Sequence, residues 1–406
     1  MTTPQAHDNL AIPDALKVYA GRMYDADGHE YTPVNMWEEQ FGSVVRPFVE
    51  ANLNTSLPIA RHVEADNTPM DEEGIWRTKF GRAPGAFDMD RRLEWMDRTG
   101  IHRQLLFAGS IGLYGTAFYF RADEYPDLYK SIQGNRKGYA LELIRAYNDF
   151  CIRTARRSDR LRVVGIALQD NVEDLIAEVR RMIDGGVRAV WLPAATLPGG
   201  VSPAHPDLYP IWDMLEQSNS PVLAHVGADS DFLKTNAWRN APAFQGWKAG
   251  EEFQMDPWTL STLHLPVQNF LTTMVFGGVF ERFPGLRFGS CEGTGQWAAP
   301  LGQLLDMWHA NSHKFTFGEG SEVLPIKLRP SEYIRRNCKW SLFDIEPVDE
   351  YISQFNMPEL YCYASDYPHP EGGKTPMQDQ YDKLSKFGDG IVKQFFCDNG
   401  EWLMPN

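Results

Sequence analysis

Short apolar runs alternate along this chain with longer segments whose apolar residues recur at helical spacing. Arg22–Asp27 reads as a first strand. Ile101–Phe107 is a second, and it follows the helix-like Asp88–Arg98, which stops at Gly100 as a helix C-terminus should. Leu161–Leu168, Val187–Leu192, Pro221–Val226, Leu286–Cys291, Cys338–Leu342 and Leu360–Ala364 supply six more strands. Between them the spacing predicts helices over Gly138–Arg157, Val172–Asp184, Leu208–Gln217, Val267–Arg282, Thr294–Ala310, Ser331–Arg336 and Pro347–Gln354. Strand and helix in strict alternation, eight strands long, predict an α/β chain closed into a (β/α)8 TIM barrel. An open doubly wound sheet is the competing arrangement, but no G-x-G-x-x-G follows any strand.

Two connections exceed ordinary βα loops: about Glu30–Gly85 after strand one and Gly227–Pro266 after strand five. Both leave the strand ends where barrel enzymes build their sites. The first carries Trp37, Phe41, Phe48, Trp76 and Phe80, and the second Phe232, Trp238, Phe244, Trp247, Phe253 and Trp258. Such aromatics either anchor an insertion or wall a pocket for an apolar substrate. Residues 1–20 read as an N-terminal extension and 21–406 as a single domain.

Composition narrows the function. With 39 basic against 54 acidic residues the net charge is −15, and no basic run offers a surface to nucleic acid. Five cysteines lie scattered without C-x-x-C spacing, which points to a reducing compartment and away from a disulfide scaffold. The polar start, Met1–Leu10 with Asp8, is not a signal peptide, and no apolar run reaches membrane-spanning length. A soluble cytoplasmic protein is expected.

The chemistry gathers at the strand ends. Asp27 and His29 sit two apart where strand one ends, so strand alternation aims both the same way. Alone, an Asp-x-His step is also a common turn. His225 ends strand five, Glu292 strand six and Asp366 strand eight. Each has an ordinary reading: a buried structural histidine, a carboxylate capping the helix near Thr294, a turn before Pro368. Together at converging strand ends they would form a costly half-desolvated cluster unless a divalent cation binds them. Asp25 should support the site from the barrel wall. His369 reads as packing beneath its loop, with binding of a substrate carboxylate as its other use. His102 reads as structural, and His309 and His313 lie away from the mouth.

These stretches, with Gly85–Asp88, Arg92–Asp97, Tyr147–Phe150, Gly277–Arg287 and Ala364–His369, resemble the amidohydrolase-related family of the amidohydrolase superfamily. That branch includes aminocarboxymuconate-semialdehyde decarboxylase and γ-resorcylate decarboxylase. The resemblance implies a metal held by Asp27, His29, His225 and Asp366, with Asp366 also able to handle a water or proton. It implies a divalent zinc, manganese or iron ion, a small aromatic or carboxylated substrate, hydrolysis or non-oxidative C–C cleavage, and assembly into homo- or hetero-oligomers. One departure stands out: the decarboxylases carry a histidine where this chain has Glu292, a residue able to serve as acid, base or extra ligand. His264, together with His62 or Glu64, would add a second metal, and then a dinuclear non-haem iron or iron–manganese oxygenase is the alternative. A metal-binding partner subunit of a heteromeric complex is the non-catalytic alternative.

Overall fold

The computed structural model describes residues 10–53, 55, 57–124, 129–227, 232–244, 246–247, 256–314 and 324–406. Among the described residues, nine strands run in chain order: β1 (Met23–Glu30), β2 (Ile101–Ala108), β3 (Leu161–Val163), β4 (Gly165–Ile166), β5 (Val190–Trp191), β6 (Val222–His225), β7 (Phe288–Cys291), β8 (Cys338–Leu342) and β9 (Tyr361–Tyr363). Every pairing is parallel, in the orders β1-β2-β3 and β4 through β9. The two runs form one ring. β3 and β4 are halves of the single expected third strand, and between them the Val164 N–H still donates to the Leu106 carbonyl of β2 at 2.9 Å. At the other seam the chain just past β9 meets β1: Asp366 N donates to Asp27 O at 2.8 Å and His29 N to Tyr367 O at 2.7 Å. The fold is the expected (β/α)8 barrel.

The outer helices follow their sequence signals. Val172–Asp184 starts where the Asn171 side chain accepts from Asp174 N, and it buries Leu175, Val179 and Met182 on one stripe. Met89–Arg98 is capped by Asp88. Two expected helices are shorter. Val267–Arg282 breaks into Leu265–Phe276 and Val279–Arg282, because Gly278 takes a left-handed φ of 74°. The helix after β7 begins at Ala298, not Thr294, leaving a free turn over Glu292–Gly295. Elements the sequence pattern did not show include Ile111–Arg121 after β2 and Pro376–Leu384 after β9.

The first insertion folds into short helices, and Trp37, Phe41, Phe48, Trp76 and Phe80 are all buried in the core. They act as anchors. In the second insertion Phe232, Trp238 and Trp247 are exposed, and Phe253 lies outside the described residues. Residues 1–9 of the expected N-terminal extension also lie outside them, whereas Leu16 and Tyr19 are buried against the barrel, with Ala11 N bonded to Arg98 O at 2.9 Å.

Candidate metal centre

The end of β1 departs from a regular strand. Asp25 pairs with Gln104 and Gly28 with Leu106, so β1 spends one residue more than β2 between them. The bulge separates two acidic neighbours. Asp25 faces the seam, where its carboxylate accepts from Ser365 Oγ (2.6 Å), Gln104 Nε2 (2.8 Å), Ser365 N (2.9 Å) and Asp27 N (3.2 Å). Burial pushes this carboxyl up to about 6 against those donors. Asp25 thus supports the strand end, as expected. Gly28 leaves room for Gln104, whose Nε2 would stand 2.4 Å from a Cβ there.

Asp27 and His29 turn into the barrel mouth. Asp27 Oδ1 lies 3.4 Å from His29 Nε2 and 3.6 Å from His225 Nε2. Asp366 Oδ1 lies 3.3 Å from the same His29 nitrogen, and Glu292 Oε2 3.0 Å from His225 Nε2. The other Asp27 oxygen accepts from Ser341 Oγ at 3.2 Å. His225 Nδ1 meets the Val226 carbonyl at 2.8 Å, which fixes the proton there and leaves Nε2 as the electron-pair donor facing the cluster. Asp366 reaches inward from a left-handed backbone, φ 51°.

Burial sets the electrostatics. Asp27, His29, His225 and Asp366 are all at most 6% exposed. Burial alone would raise both carboxyls and lower both imidazoles. For Asp27 the His225 and His29 rings outweigh it, and for Asp366 the His369 and His29 rings do; both carboxyls end below the ordinary range. Conversely, Glu292 and Asp27 hold His225 well above the usual imidazole value, and Asp27 and Asp366 raise His29. Asp27 Oδ1, His29 Nε2, His225 Nε2 and both Asp366 oxygens nevertheless face only one another and the neighbouring Glu292 and His369, with no other donor or acceptor in reach among the described residues. Buried polar atoms left so are expensive. Oxygen and nitrogen atoms gathered about His29 in this way suit a divalent cation.

His369 occupies a place that sequence reading half missed. Its ring packs, as expected, but on the His29 ring at 4.1 Å, and its Nδ1 lies 3.2 Å from Asp366 Oδ1. The Asp-x-x-His step from Asp366 was the available signal. The residues proposed for a second metal stay apart: His62 and Glu64 are exposed, and His264 stacks on Trp297 at 5.9 Å. Among the described residues, ligating triads occur as two sets, Asp27–His29–His225 and His29–Asp366–His369, which share His29. Glu292 does not cap the following helix; its backbone, at φ 55°, turns the carboxylate to His225.

Several known proteins are similar to this chain. A 2-amino-3-carboxymuconate-6-semialdehyde decarboxylase of Dictyostelium discoideum is 23% identical over 247 residues, 59% of this chain and 60% of that protein. The match thus spans about three-fifths of that relative's length. The crystal structure of 5-carboxyvanillate decarboxylase from Sphingomonas paucimobilis superposes with a TM-score of 0.58 at 18% identity, covering 94% of this chain and 98% of that one. The enzyme of that name from Novosphingobium aromaticivorans, complexed with manganese and 4-hydroxy-3-methoxy-5-nitrobenzoic acid, gives 0.60 at 16% identity over 99% of this chain and 100% of the other. At such identities the structures speak for the fold. An amidohydrolase family model matches residues 87–401, which take in His225, Glu292 and Asp366. The match covers most of the chain, and the chain belongs to the amidohydrolase family.

Proposed function

We propose that this protein is a divalent-metal-dependent decarboxylase of small aromatic or related unsaturated carboxylates. The observation that carries this reading is the buried set of ligating atoms on Asp27, His29, His225 and Asp366, which face chiefly one another. The named activities of the relatives support the reaction class, and the manganese of the Novosphingobium enzyme supports an ion that accepts oxygen and nitrogen donors. The five cysteines are buried and none joins the cluster, so no thiolate biases the site toward zinc. One ion fits the single shared centre.

Asp27 and His29 from β1, His225 from β6 and Asp366 after β9 would hold that ion. When bound, it supplies Lewis acidity toward a substrate oxygen and fixes its orientation. The remaining work falls to the chain. Loss of carbon dioxide breaks the bond between the carboxyl group and its carbon; the electron pair stays on that carbon, which takes up one proton. Glu292 is the donor in this reading. It faces the centre beside His225 and, with a side chain 14% exposed, it regains its proton from solvent. His369 stacks on His29 and keeps Asp366 aimed inward.

Protein purified without chelator should contain one divalent ion per chain and release carbon dioxide from some member of a panel of hydroxybenzoic acids. His225→Ala should lose the ion. Glu292→Gln should keep it while turnover falls by about 10²–10⁴-fold. A chain without a stoichiometric divalent ion, measured by plasma mass spectrometry, would overturn the reading.

A further inference from the structure

Glu292 is held on a turn that no regular element supports. Glu292 and Thr294 both take left-handed backbone angles, φ 55° and 57°, on either side of Gly293. Residues other than glycine adopt this region only where the surroundings over-determine it. The helix that follows starts only at Ala298. What fixes the turn is a set of bonds from the neighbouring strand and its loop. Glu292 N donates to Ser341 Oγ of β8 at 3.2 Å, and that hydroxyl donates in turn to Asp27. Trp297 Nε1 donates to Gly293 O at 2.9 Å. Gly295 N, at the far end of the turn, donates to Glu346 Oε2 at 2.7 Å.

Glu346 lies in the loop after β8, only 6% exposed. Its other oxygen accepts from Phe343 N at 3.0 Å, and Tyr351 Oη donates to Oε2 at 3.3 Å. One carboxylate therefore ties the β8 loop to the β7 loop, and both oxygens are engaged by backbone N–H donors. A carboxylate can do this, whereas an amide offers one acceptor and one donor. We propose that Glu346 is the positioning residue for Glu292: by anchoring Gly295 it keeps the left-handed turn that sets the Glu292 carboxylate on His225. This rests on Glu292 moving the proton. It adds that the geometry of that step is controlled by a carboxylate outside the metal centre.

The test uses the metal-loaded enzyme. Glu346→Gln should lower kcat by about ten- to a hundredfold, the range a misplaced catalytic group produces, with KM within about twofold and the ion retained. Tyr351→Phe, which leaves both backbone bonds, should change kcat little. Hydrogen–deuterium exchange over residues 292–297 should quicken in Glu346→Gln and not in Tyr351→Phe, and this readout does not depend on turnover. Should Glu346→Gln fold poorly, Glu346→Asp keeps both acceptors on a shorter arm and is read the same way. Unchanged exchange in the turn, or unchanged kcat in a folded variant whose exchange has quickened, overturns the proposal. Full activity of Glu292→Gln overturns instead the role of Glu292 on which it rests.

Discussion

At the residue scale, the division of labour between Asp25 and Asp27 is the most telling feature. Two like side chains two positions apart do opposite things: one collects four donors, the other leaves an oxygen unpaired toward the cluster. Asp25→Asn sets an amide N–H against a group of donors, so at least one of them loses its acceptor. The expected loss is about 1–3 kcal/mol, read from chemical denaturation, together with weaker metal retention. The acidic and imidazole identities were legible because strand-end polar residues stand out from apolar runs. His369 was only half legible. Its contact with Asp366 depends on the turn through Tyr367 and Pro368, and a pattern of residue types does not encode the direction of a turn.

At the element scale, β1 carries the site beside its bulge, where Gly28 leaves room for the Gln104 side chain. Gly28→Ala would drive a Cβ into Gln104, the donor that secures Asp25. A cost of about 1–3 kcal/mol is expected. In a Gln104→Ala background the same substitution should cost clearly less, since the clash is gone; thermal melts of the four proteins form the cycle that checks this. Arg92 secures the same region from its helix, donating to Gly85 O at 2.6 Å and to Gln104 Oε1 at 3.2 Å, and also to His29 O. Helices with one apolar stripe, such as Val172–Asp184, were readable from periodicity. Ile111–Arg121 was not, because it buries residues on most of its surface, and Gly112 and Gly115 let the helix Arg136–Ala155 approach closely. Continuous burial erases the period that reveals a helix.

At the scale of the molecule, the barrel brings strands far apart in sequence to one centre, so the site responds as a unit. Without metal, raised imidazoles face lowered carboxyls. The lowered carboxyls stabilise the fold above their ordinary range and lose that contribution as pH falls through their folded values. The raised imidazoles stabilise it below their ordinary value of 6.5, and that contribution is lost as pH rises through their folded values. The metal-free protein should therefore lose Tm as pH rises above 6.5. The metal-loaded protein, in which the ion replaces those protons, should hold its Tm better, so the gap between the two widens with pH. Differential scanning fluorimetry with and without chelator measures this; a gap that shrinks with rising pH would refute it.

By itself, the sequence determined the alternation of strands and helices, the closed α/β architecture it requires, and the polar residues at the ends of strands one, five, six and eight. Each of these is a local property, written in periodicity and in residue type. Only the tertiary structure decided which of those residues share one centre. It set Glu292 beside His225 rather than at the cap of the following helix, drew His369 to Asp366, and left His264 on Trp297 and His62 and Glu64 in solvent. It also made the first insertion's aromatics anchors. Those outcomes depend on loop direction and on contacts hundreds of residues apart, such as Ser365 with Asp25, where geometry rather than composition sets the distance.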